Sequence, residues 1–127
     1  MSRHAATTDQ APSPAGPYSQ SIRAGNVVVC AGQAGAVPAG ELLDGITAQT
    51  EQCLHNVLAA LAASGAQEED IVRVNVYLTD VDDFAAMNEV YARTFSRPYP
   101  ARTTVYVTLP AGMLIEIDAM AVVGSAL

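Results

Sequence analysis

The chain has 127 residues, half of them hydrophobic and 15% charged, enough for one packed domain and too apolar for an unfolded tail. Its net charge is −7, and all six basic residues are arginines: Arg3, Arg23, Arg73, Arg93, Arg97 and Arg102. Without lysine there is no protein-side Schiff base, no lysine-anchored pyridoxal and no Walker lysine. Arginines scattered on an acidic chain also offer no stripe to neutralise nucleic-acid phosphates, so no nucleic-acid partner is expected.

No apolar run approaches the roughly 20 residues that cross a bilayer. The start, Met-Ser-Arg-His followed by a polar, proline-bearing stretch, lacks the apolar core of a secretory signal. A cytoplasmic protein without membrane contacts is expected. Cys30 and Cys53 fall in apolar strand and helix patterns, where reduced, buried thiols belong. His4 and His55 stand far apart and no Cys-x-x-Cys is present, so no metal-ligand spacing emerges and neither metal nor cofactor is expected.

Along the chain, 1–15 reads as a loose leading segment. Ser19–Arg23 and Val27–Gly32 read as the arms of a hairpin turning at Ala24-Gly25-Asn26. The glycine-rich stretch 35–45 reads as a loop. A helix is predicted from about Ile46 to Ser64, with Asp44 as its cap, Cys53, Leu54, Val57, Leu58 and Leu61 at helical spacing, and Gly65 ending it. Ile71–Leu78 alternates as a strand, with Val72, Val74, Val76 and Leu78 on one face and Ile71, Arg73, Asn75 and Tyr77 on the other. The acidic run Thr79–Asp83 introduces a second helix whose stripe is Phe84, Met87, Val90, Tyr91 and Phe95. Strands Arg102–Leu109 and Leu114–Val123 follow, joined by 110–113. The expected fold is α+β, ββαβαββ, a single domain over 1–127 with both helices on one sheet face. Arg102, Thr104, Tyr106 and Thr108, opposite Val105, Val107 and Leu109, would then share the second sheet face with Glu116, Asp118, Met120 and Val122, a polar and apolar mixture typical of subunit contacts, so an oligomer is expected.

The strongest chemical signal is Pro100-Ala101-Arg102-Thr103-Thr104 with Ile115-Glu116-Ile117-Asp118. Antiparallel pairing of these strands would let Arg102, Thr104 and Glu116 converge on one concave site. An arginine fork grips a carboxylate through two parallel hydrogen bonds, and a neighbouring carboxylate can hold water or exchange a proton. The same pattern would also suit solvated charges on an exposed face. Tyr18, in Gly16-Pro17-Tyr18-Ser19-Gln20, is by itself as well suited to packing as to catalysis. Asn88 stands within the apolar stripe of the second helix, where its amide needs a partner.

Taken in order, Gly16-Pro17-Tyr18-Ser19-Gln20, Gly25-Asn26, Gly32-Gln33, 84–91, 100–105 and Ile115-Glu116-Ile117 resemble the Rid (reactive intermediate deaminase, YjgF-like) family over nearly the whole chain. The resemblance implies a chorismate-mutase-like fold and a homotrimer whose sheets form a central barrel, with clefts between subunits. It also implies hydrolysis of reactive enamines and imines, such as 2-aminoacrylate or 2-iminobutanoate, to 2-keto acids and ammonia. By match, Arg102 would clamp the substrate carboxylate and Glu116 would hold the attacking water. Tyr18 and Thr104 would line the cleft, Asn88 would hydrogen-bond within it, and the Gly32 backbone would face the reacting nitrogen. This chain has Ala31 where many members have serine, and Thr104 where many have cysteine, which excludes a thiol role there. Three rivals stand beside this reading: a regulatory protein sensing carboxylate metabolites, a deaminase for a larger catabolic enamine, and a ribonuclease, against which the acidic, lysine-free composition speaks.

Overall fold

The computed structural model describes residues 2–124, so Met1 and residues 125–127 of the expected unit lie outside it. Seven strands form one sheet: β1 (His4–Ala6), β2 (Ser21–Ala24), β3 (Val27–Cys30), β4 (Gln33–Ala34), β5 (Ile71–Leu78), β6 (Ala101–Tyr106) and β7 (Ile115–Val122). Helices α1 (Ile46–Ala63) and α2 (Phe84–Thr94) pack together on it. The strand order is β1-β2-β3-β7-β5-β6, with β4 also pairing β7.

The core lies between the helices and one sheet face. Val28, Cys30, Val74, Val76, Leu78, Ile115, Ile117, Ala119 and Ala121 meet Cys53, Leu54, Val57, Leu61, Met87 and Val90, all buried. Each fully buried aliphatic side chain here contributes about 1.5–3 kcal/mol. Both thiols are free and sealed in this layer, and burial pushes the Cys30 thiol up to about 12. No helix among the described residues is long and apolar enough to cross a membrane.

Helix α1 runs as predicted but is capped differently. Gly45, at φ 86°, occupies the N-cap, and no side chain, Asp44 included, bonds to its free amides. At the other end Gly65 takes φ 91°, and the amides of Gly65 and Ala66 bond Ala62 O and Leu61 O. This left-handed turn is the one foreseen.

Four expectations are corrected. The leading segment is not loose: β1 pairs with β2, and Ala11 is buried. A second unforeseen strand, β4, lies between β3 and the glycine-rich stretch 35–45. A bulge between Ile71 and Arg73 expels Val72 to 42% exposure and turns Ile71 into the core, reversing their expected faces. The largest correction concerns the last two strands. β6 and β7 do not pair, because β5 lies between them, parallel to β6 and antiparallel to β7. The short 107–114 connection spans one strand width rather than forming a hairpin.

The sheet face turned away from the helices has no cover among the described residues. It carries Val27, Val29, Val105 and Val122, between 38% and 42% exposed. Set among these valines, Arg73 Nη2 donates to Thr103 Oγ1, and Asp118 accepts from Asn75 Nδ2 at 2.8 Å and Tyr77 Oη at 2.9 Å.

Candidate functional site

Arg102 stands opposite Val74 across the β5–β6 pair and therefore on the helix-covered face. Its guanidinium carbon lies 4.7 Å from the Tyr91 ring centroid and 5.8 Å from that of Phe84, with Nη1 3.9 Å from Met87 Sδ. Helix α2 thus supplies an aromatic and thioether bed that orients the fork without neutralising it. Among the described residues the ion pair formed is Arg93–Glu51, and Arg102 has no carboxylate partner. A cavity of ~310 Å³ opens beside it, lined by Asn88, Tyr91, Ala92, Tyr99, Pro100 and Arg102. The Asn88 amide is half-buried and bonds no group among the described residues. Thr104 shares the face of Arg102, opposite Val76, and its buried hydroxyl has no partner among the described residues; the Tyr91 hydroxyl is in the same state. Burial pushes the Tyr91 phenol up to about 12 against the opposing pull of Arg102, so it stays protonated beneath the guanidinium.

Glu116 leaves the opposite face. Its strand neighbours Ile115 and Ile117 point into the core, while Glu116 lies between Ala34 of β4 and Tyr77 of β5. It lines a second cavity, of ~440 Å³, with Tyr18, Gln20, Gly32, Gln33 and Met113 among the walls. A Cβ at Gly32 would fall against Glu116 Oε2 and 3.0 Å from its Cδ, so only glycine lets the carboxylate lie over this backbone. Tyr18, 50% exposed, accepts a hydrogen bond from Ala15 N at 3.0 Å, which holds its ring at the rim. Desolvation, and secondarily the Asp118 carboxylate, raise the Glu116 pKa above its ordinary 4.5. The carboxyl is therefore a better proton acceptor than a solvated glutamate.

Two groups result. Arg102, Thr104 and Asn88 gather on the helix side beside β6; Tyr18, Gly32 and Glu116 gather on the other side beside β4 and β7. The convergence of Arg102 and Glu116 expected from adjacent strands does not occur within one chain, since β5 intervenes and the two side chains leave opposite faces. Sequence reasoning passed over Tyr91, seen only as a stripe residue, and Gln20, buried at 1% exposure beside the second cavity. A polar atom on a buried position was the available signal for both.

The comparisons agree with this architecture. Residues 8–123 match the family model described as endoribonuclease L-PSP. A RutC family protein of Pyrococcus horikoshii is 50% identical over 90% of this chain and 93% of its own. A 2-iminobutanoate/2-iminopropanoate deaminase of Dermatophagoides farinae is 40% identical over 92% of this chain and 94% of its own. The crystal structure of RidA from the Antarctic bacterium Psychrobacter superposes with a TM-score of 0.91 at 43% identity, covering 94% of this chain and 99% of that one. The chain belongs to the Rid (YjgF/RidA) family.

Proposed function

We propose that this protein hydrolyses reactive 2-enamines and 2-imines, of the 2-aminoacrylate and 2-iminobutanoate kind, to 2-keto acids and ammonia in the cytoplasm. The clefts are shared between copies in a homotrimer: Arg102, Thr104 and Asn88 of one copy face Tyr18, Gly32 and Glu116 of the next. One observation carries this reading. An unpaired arginine fork and a carboxylate of raised pKa each line a cavity, yet on opposite faces of one sheet. Neither cavity alone holds both groups, and the valine-bearing face is left uncovered. Relatives named as imine and reactive intermediate deaminases point to the same chemistry.

In the proposed reaction the enamine takes a proton at carbon to give the imine, whose carboxylate Arg102 clamps. Glu116 accepts a proton from a held water as its oxygen attacks the C=N carbon, forming a carbinolamine. The C–N bond then breaks with proton return to nitrogen, so one water is consumed and one ammonia released. Such hydrolysis is fast unaided, and orientation with a positioned water supplies what acceleration is needed. Keto-acid release from an imino acid generated in situ by an amino-acid oxidase tests the activity. Tight 2-keto acid binding without turnover would instead make the chain a sensor of carboxylate metabolites, and a preference for bulky imines would mark the deaminase of a larger enamine.

A pH profile tests the Glu116 role. Water activation needs the ionised carboxylate, so kcat/KM falls on the acid side as pH drops through a pKa lying above 4.5. Asp118→Asn removes the second cause of that elevation, so the acid limb moves to lower pH. An unmoved limb, with turnover retained, would separate Glu116 from the titrating step.

A further inference from the structure

We infer that Gln20 is a positioning residue that fastens residues 8–12 as a strap and so fixes the wall of the Glu116 cavity, an inference that rests on the proposed deaminase site. Gln20 is 1% exposed, and its amide reaches the backbone of the leading segment at three residues. Oε1 accepts from Thr8 N at 2.7 Å, while Nε2 donates to Thr8 O at 3.0 Å, Pro12 O at 2.9 Å and Ala11 O at 3.4 Å. Its own carbonyl accepts from Ala31 N at 2.9 Å, next to Gly32. One side chain and one peptide group thereby join the strap, the Tyr18 turn and the Gly32 backbone.

The strap matters because it ends in the cavity. Pro12, Ser13, Ala15 and Tyr18 form one wall, facing Gly32 and Glu116. Ala15 also donates to the Tyr18 hydroxyl, so a strap that slides takes the aromatic rim with it. Among the described residues, the regular pairing upstream is the three-residue β1, which is too short to hold this wall unaided. Leaving the buried Ala11 carbonyl without its donor favours opening toward water over an unpaired contact. Gln20 therefore acts through the strap, with its amide engaged by backbone rather than presented to substrate.

Two variants of the full chain decide the point in the imino-acid assay, with Arg102→Ala run alongside. Gln20→Met keeps length and apolar volume while removing the amide; KM is expected to rise about tenfold with kcat within about threefold. A purely structural defect would lower the active fraction, and so kcat, with KM unchanged. Thr8→Pro removes the N–H that Oε1 accepts, far from the core, and is expected to raise KM less but in the same direction; it carries the test if Gln20→Met does not fold. Hydrogen exchange at 8–12 should accelerate in both. An unchanged KM in the folded variants, while Arg102→Ala loses turnover, overturns the role of Gln20 alone. Equal turnover by wild type and Arg102→Ala overturns the site itself.

Discussion

Arg102→Ala is expected to lower kcat/KM for a freshly generated 2-imino acid by roughly 10²- to 10³-fold, with the fold intact. A fork gripping a carboxylate makes two charge-assisted hydrogen bonds, each worth about 1.5–3 kcal/mol. Every ~1.4 kcal/mol is a factor of ten in rate, and some of the loss is recovered by water filling the vacated space. Stability should change little, because no carboxylate among the described residues depends on Arg102 for charge balance. The contacts it gives up are its place over the Tyr91 and Phe84 rings and beside Met87 Sδ, of which the closer Tyr91 stacking is worth about 0.5–1 kcal/mol where solvent has access. Arg102→Lys keeps the charge but loses the planar fork and should fall between the two. Steady-state kinetics with thermal melts separates these effects. A variant that melts far below wild type would assign Arg102 to the scaffold instead.

Gly35→Ala should have the largest effect on stability, about 3 kcal/mol, lowering Tm by about 10 °C. The physical cause lies in how closely α1 approaches the segment just after β4. A Cβ at Gly35 would sit 2.5 Å from both Gln49 Cα and Cβ and 2.6 Å from Gln49 O. Two of these are backbone atoms of α1, so no rotamer relieves the clash and the helix itself must move. Gln49 also ties the helix to loops on both sides, donating to Leu43 O and Gly112 O and accepting from Leu114 N. A displacement of α1 here therefore strains the approach to β7. Calorimetry showing a Tm within about 2 °C of wild type would mean that the helix yields more easily than this packing implies.

Much of the fold was legible because local pattern carries it. The stripe from Cys53 to Leu61 and the left-handed Gly65 fixed α1 to within a residue, and the alternation of 115–122 marked β7 and its buried face. What escaped depends on partners distant in sequence. Nothing local to β6 says that β5 will lie between it and β7, because alternation assigns faces without naming neighbours. The Val72 bulge reverses two faces for the same reason: it is a fault in register against β7. Gly45 displaced Asp44 because a glycine at positive φ can start a helix with no side-chain cap, which residue type alone does not reveal. Arg102, Thr104 and Glu116 stand out by their chemistry, whereas Tyr18, Gly32 and Asn88 are singled out through the family resemblance. Arg102, Thr104 and Asn88 do assemble near β6, and Tyr18, Gly32 and Glu116 near β7, but nothing in local pattern signals that the two sets face different ways.

That separation is what a subunit-mixing experiment tests. Arg102→Ala and Glu116→Gln are each expected to be nearly inactive. If the cleft joins Arg102 of one copy to Glu116 of the next, dissociating and reassociating a 1:1 mixture restores both groups to about one cleft in four. Activity should then recover to about a quarter of wild type. A mixture that stays at the residual level of its parents, after mixed assemblies have been verified by mass, would contradict a catalytic centre built between copies.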